Sequence, residues 1–213
     1  MSTIYLDLEV LDCFQDPHIA KLPRFRQLAA MRFGLATTYA EPLGMVTWWP
    51  EQIGDLWERL TSCSRIVGWN SDEFDIPYLI VQAVRLRLTH DPWGELPPTL
   101  DLMDLIKRET KRLDGKERWY KLDVIAWHNL GRNKISSGDE AAAWLRSGER
   151  ALIQKAADYC KDDVQLVIDL HRKLLAGEPL ICPARPDRRE YQEVRVYLLQ
   201  EQEQEHGRAR ARP

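Results

Sequence analysis

Apolar positions along the chain fall into short blocks separated by turn residues. Ile4 to Val10 is rich in Ile, Tyr, Leu and Val and predicts a buried strand. Leu28 to Tyr39 and Gly44 to Trp49 predict two more strands, joined by a turn around Glu41-Pro42. Pro50 suits a first helical position, and Ile53, Leu56, Trp57 and Leu60 follow at helical spacing, so Pro50 to Leu60 predicts a helix. Arg65 to Trp69 predicts a short strand ending at Asn70, Phe74 to Leu88 a helix, and Thr99 to Leu105 a strand after Pro97-Pro98. The remaining regular segments predict helices: Leu122 to Leu130, Glu140 to Arg146, and Glu149 to about Ala176.

Three hairpin-linked strands followed by alternating helices and strands imply an α/β fold. The expected sheet is mixed, with antiparallel strands first, parallel strands after them, and helices packed on it. One domain is expected over residues 1–182. From about Pro183, Arg, Glu and Gln dominate, so residues 183–213 predict a charged tail that is partly helical or disordered. Such a tail is a candidate contact for a protein partner.

A length of 213 residues, 44% hydrophobic and 30% charged, suits one globular domain with a full core. No apolar run is long enough to span a bilayer, and no basic leader precedes an apolar stretch. The expectation is no membrane and a cytoplasmic location. Cys13, Cys63, Cys160 and Cys182 are widely spaced with no CxxC pair, which argues for reduced thiols rather than a zinc knuckle or disulfides. A net charge of −3 does not advertise a nucleic-acid binder. It does not exclude one, because a carboxylate cluster adds negative charge that bound metals cancel.

The candidate chemistry starts in the first strand. Asp7 and Glu9 are alternate residues and point to the same side. Two like charges side by side in a core are costly unless a cation binds them, and hard divalent Mg²⁺ or Mn²⁺ suits bare carboxylates. Two further segments carry acids. Asn70-Ser-Asp-Glu-Phe74-Asp75 follows a short strand and opens a helix. Taken alone, its acids serve as caps and complement the helix dipole. In the long helix, Tyr159 and Asp163 lie one turn apart beside an apolar stripe of Ile153, Ala156, Ala157, Cys160, Val164 and Val167. Asp162 lies further round and should be more exposed.

Together, Asp7-x-Glu9, Asn70-x-x-x-Phe74-Asp75 and Tyr159-x-x-x-Asp163 resemble the motifs of the DEDD superfamily of 3′–5′ exonucleases, which has the ribonuclease H-like fold. Asp158 stands where the histidine-bearing subgroup carries its His, while Tyr159 fits the tyrosine-bearing subgroup. The resemblance covers about the first 175 residues. It implies a ribonuclease H-like mixed sheet and hydrolysis of phosphodiester bonds at a free 3′ end of DNA or RNA, releasing nucleoside monophosphates. It also implies two divalent cations, Mg²⁺ or Mn²⁺, with Asp7 bridging them. Glu9 and Asp163 would complete one ion and Asp75 would hold the other. Tyr159 would orient the attacking water. Asn70 belongs to the motif, and Phe74 is expected to pack in the core.

Substrate contacts are expected from a basic and aromatic stretch containing Lys111, Arg112, Trp119 and Tyr120, which could track a backbone and stack on bases. Its interspersed acids equally suit a solvated loop. Asp101 is a candidate for the rim of the site, while Asp104 is expected to start or cap a helix. Two other classes compete with the exonuclease: a ribonuclease H-like endonuclease, and an adaptor on a retired nuclease fold.

Overall fold

A computed structural model describes residues 2–184 and 193–198. The chain runs β1 (Thr3–Val10), α1 (Arg24–Ala30), β2 (Phe33–Ala40), β3 (Gly44–Trp48), α2 (Ile53–Thr61), β4 (Arg65–Gly68) and α3 (Asp75–Arg85). It continues through α4 (Pro92–Glu95), β5 (Thr99–Asp101), α5 (Leu102–Asp114), α6 (Leu122–Leu130), α7 (Gly138–Arg146), α8 (Arg150–Leu175), β6 (Leu180–Cys182) and β7 (Val194–Val196). A short 3₁₀ turn over Pro50–Gln52 leads into α2.

Five strands form one sheet in the order β3-β2-β1-β4-β5. The β1–β2 and β2–β3 pairs are antiparallel, and β1–β4 and β4–β5 are parallel. This is the mixed sheet flanked by helices that the order of segments implies. Alternation along β1 divides the core. Ile4, Leu6 and Leu8 pack with Leu56, Leu60, Ile76 and Leu79 of α2 and α3. Tyr5 faces the other layer, with Leu105, Ile106, Ile125, Val164 and Val167 of α5, α6 and α8. Asp7 and Glu9 follow Tyr5 on that same side, so the strand period alone aims them at α8.

The long helix can come close because Ala156, Ala157 and Cys160 present small side chains to β1 and β2. Cys160 Sγ lies 3.5 Å from the carbonyl oxygen of Asp7. The sheet splits where the site lies. Partners of β4 on β1 stop at Tyr5, while β1 runs on to Val10. Beyond Tyr5 the edge of β1 is open, and crevices at the carboxyl ends of parallel strands are where ligands bind in α/β sheets.

Three segments differ from the sequence expectation. Leu28 to Ala30 ends helix α1 instead of opening a strand, and β2 starts only at Phe33. The apolar run is continuous across the boundary, so hydrophobicity alone hides the turn at Met31 and Arg32. The strand after Pro97-Pro98 is only three residues long, and α5 begins at Leu102, because the Asp101 side chain caps it. The sequence of residues 183–213 predicts a charged tail, partly helical or disordered. Among those described, Val194 to Val196 pair with β6, and Val196 is fully buried against the α8 layer. The rest of that segment, 185–192 and 199–213, lies outside the described residues. No helix among the described residues is long and apolar enough to cross a membrane.

Candidate metal centre

One cleft of about 560 Å³ opens at the split of the sheet. Asp7, Glu9, Asn70, Phe74, Asp75, Tyr159 and Asp163 all line it. Carboxylate oxygens of Asp7, Glu9 and Asp163 lie within 4.8 Å of one another. Asp75, the first residue of α3, sits where β4 leaves β1, and its Oδ1 accepts the backbone N–H of Leu8 at 3.1 Å. That bond satisfies an edge amide that β4 no longer reaches.

Burial and mutual repulsion set the electrostatics. Burial, then the charge of Asp163, pushes the Asp7 carboxyl up to about 7, against an opposing pull from Lys134. Glu9 is pushed well above its ordinary value by burial, then by Asp7 and Asp163. Asp75 is raised by burial and then by Asp7. Asp163 is also raised by burial, with Lys134 opposing. Tyr159 is 2% exposed, and burial followed by the charge of Asp163 holds its phenol above the ordinary range, so the hydroxyl keeps its proton. Asp163 Oδ1 is buried without a hydrogen-bond partner. A crowded set of hard oxygen donors that resist ionising together, one of them unpartnered, fits a divalent cation.

The loop that carries Asn70 is held from below. Asn70 has φ 58°, a left-handed conformation that Asn tolerates better than most residues. Asp101 accepts from the backbone N–H groups of Asn70 at 2.9 Å, Asp72 at 3.1 Å and Met103 at 2.9 Å. Asp101 is therefore a brace beneath the loop, 2% exposed, rather than a residue of the rim. Asp104, inside the first turn of α5, pairs with Arg108 at 2.9 Å. Phe74, partly buried, packs against Phe14 and Tyr78 while also lining the cleft.

The basic stretch divides. Trp119 and Tyr120 line the cleft, with Trp119 half exposed and Tyr120 bonded to the Pro183 carbonyl oxygen at 2.8 Å. Lys111 and Arg112 stand away from it, paired to Glu117 at 2.7 Å and to Glu109 at 2.8 Å.

Sequence reasoning missed Lys134. This residue lies in the loop between α6 and α7, and its Nζ is 2.5 Å from Asp163 Oδ2 and 5.0 Å from the centre of the Tyr159 ring. No local pattern marks it; the only signal was that an acid cluster wants a cation. Its loop is tethered by Arg132, which pairs with Asp162 at 2.8 Å and Asp169 at 2.9 Å on the outer side of α8. At the far end Ser137 caps α7.

An acid-lined cleft at the split of a mixed sheet places the molecule among ribonuclease H-like α/β proteins. Residues 49–175 match the family RNase_H_2, described as "RNase_H superfamily". That stretch is more than half of the chain, so the protein belongs to the RNase H superfamily. It starts after β1, so Asp7 and Glu9 lie outside it. The chain also resembles the family B DNA polymerase of the hyperthermophilic archaeon Pyrobaculum calidifontis, with a TM-score of 0.60 and 18% identity over 82% of this chain. The likeness is one of fold, and it spans 24% of the polymerase chain. A comparison with curated proteins finds no match.

Proposed function

We propose that the protein is a metal-dependent 3′–5′ exonuclease of the tyrosine-bearing DEDD type, releasing nucleoside monophosphates from DNA or RNA. The observation that carries this reading is the meeting of Asp7, Glu9, Asp75, Tyr159 and Asp163 in one cleft from three separate segments of chain. Asp7, Glu9 and Asp163 would hold one divalent ion, Mg²⁺ or Mn²⁺, and Asp7 with Asp75 a second. Bound ions of this kind lower the pKa of water and offset charge on the phosphate and the leaving oxygen. The chain's own groups do the rest. Tyr159 keeps its proton and so offers the attacking water a hydrogen bond. Trp119, half exposed in the cleft with the Lys107 ammonium 3.8 Å from its ring centre, would stack on a base. The Asp101 brace holds Asn70 and the start of α3 at the cleft edge.

The test is digestion of 5′-labelled single strands, DNA and RNA in parallel, with Mg²⁺ or Mn²⁺. A ladder shortening from the 3′ end is expected, and EDTA should stop it. Circular strands and strands blocked at the 3′ end should survive. Asp7→Ala should slow the reaction by roughly a thousandfold with the fold intact. Equal rates for wild type and Asp7→Ala would remove the site assignment, and cleavage of circles would make the enzyme an endonuclease.

A further inference from the structure

The acid cluster already contains a positive charge. The Lys134 ammonium is within ion-pair distance of Asp163, and its field reaches Asp7 and Glu9 as well. The Lys134 side chain is 20% exposed against 4% for Asp163, and both residues line the cleft. The arrangement is not accidental packing of a floppy chain. Arg132, two residues earlier, is fixed to α8 by two ion pairs, and Ser137 ends the loop as a helix cap. Seated over the Tyr159 ring, the ammonium gains a second favourable contact.

A cation binding Asp163 meets this lysine first. Asp163 Oδ2 is taken by the ammonium, and Oδ1 has no partner. Two positive charges cannot share one carboxylate in a partly buried cleft without strong repulsion. We propose that Lys134 is a resident counter-ion that competes with the divalent cation for Asp163 and, once displaced, presents its charge to the phosphate backbone of the substrate. The inference rests on the nuclease reading for the identity of the substrate, but its competition with metal does not. Without metal, Lys134 keeps the acids from repelling one another. With metal bound, the released ammonium remains at the cleft wall, where an anionic ligand enters.

The test uses the full chain and two readouts. The first is Mn²⁺ affinity by calorimetry without nucleic acid. Lys134→Met should bind Mn²⁺ roughly tenfold more tightly than wild type, the scale of losing one repulsive charge contact. Lys134→Arg should stay near wild type. Equal or weaker Mn²⁺ binding by Lys134→Met overturns the competition. The second is affinity for a single-stranded oligonucleotide in Ca²⁺, so that binding is read apart from cleavage. It should fall roughly tenfold in Lys134→Met and be kept in Lys134→Arg. Unchanged affinity overturns delivery of the charge to the phosphate. If Lys134→Met does not fold, as judged by circular dichroism, Lys134→Gln gives the same comparison. A wild-type protein that binds Mn²⁺ and oligonucleotide but digests nothing would sink the exonuclease reading and leave both measurements decisive for Lys134.

Discussion

A single carboxylate, Asp101, shows how far the site depends on residues that never face the cleft. Its two oxygens accept from backbone N–H groups of the Asn70 loop and of the first turn of α5. Replacing it with Asn turns one acceptor into a donor aimed at donors. Asp101→Asn should lower stability by about 1–3 kcal/mol, read from the urea midpoint, because the Asp72 N–H on Oδ2 then faces a donor while Oδ1 keeps the Asn70 and Met103 amides. A midpoint equal to wild type would make the brace ornamental. What was legible at this scale follows the same logic. Asp7 and Glu9 could be paired from sequence because strand alternation is a local rule. Lys134 could not, because its partner Asp163 is set by how the α6–α7 loop returns across α8. The sequence left Lys111 and Arg112 equally a binding surface or a solvated stretch; they pair with Glu117 and Glu109 and are not among the residues lining the cleft.

Elements position Glu9 through a defect in the β1–β2 ladder. Glu9 pairs with Leu35 and Val10 with Phe33, so Gly34 is the extra residue of a β-bulge on β2. A Cβ at Gly34 would lie 2.7 Å from the backbone oxygen of Glu9 and 2.6 Å from Leu145 Cδ1. Backbone cannot yield as a side chain can. Gly34→Ala should therefore cost about 1–3 kcal/mol and weaken Mn²⁺ binding by moving Glu9. Gly44→Ala is the contrast. Gly44 has φ 75° with open space around it, so only local strain of about 1 kcal/mol is expected, with Mn²⁺ affinity unchanged. Equal loss of metal binding in both variants would show that the bulge has no special tie to Glu9. The bulge itself was not legible, since a lone glycine in a strand pattern does not say which neighbour it accommodates. Helices α1 and α5 were hidden for a related reason. Each meets a strand across an unbroken or nearly unbroken apolar run, and the boundary is set by a turn at Met31 in one case and the Asp101 cap in the other. Helices α6 and α8 were legible almost to the residue, α8 through its long apolar stripe.

The whole molecule gathers four acids where three elements meet. Asp7 and Glu9 come from β1, Asp75 from α3 and Asp163 from α8, each held in place by the packing of its own element. That convergence opposes folding, because burial and repulsion push every one of these carboxyls upward, and Lys134 offsets only part of the strain. A fold that gathers charge in this way should be less stable without metal than its core alone would make it. Neutralising one acid tests the idea. In EDTA, Asp7→Asn should be more stable than wild type by about 1–3 kcal/mol, since the amide keeps the shape and removes a repelling charge. Added Mn²⁺ should reverse the order. An ion that binds only the folded state contributes about 2.7 kcal/mol at a hundred times its Kd, and Asp7→Asn would lose most of that gain. Unfolding curves of both proteins, with EDTA and with Mn²⁺, give four midpoints. If wild type is the more stable in EDTA, the acids are structural partners of Lys134 and not a site held ready for a cation. If Mn²⁺ moves both proteins equally, the ion binds elsewhere and Asp7 is not its ligand.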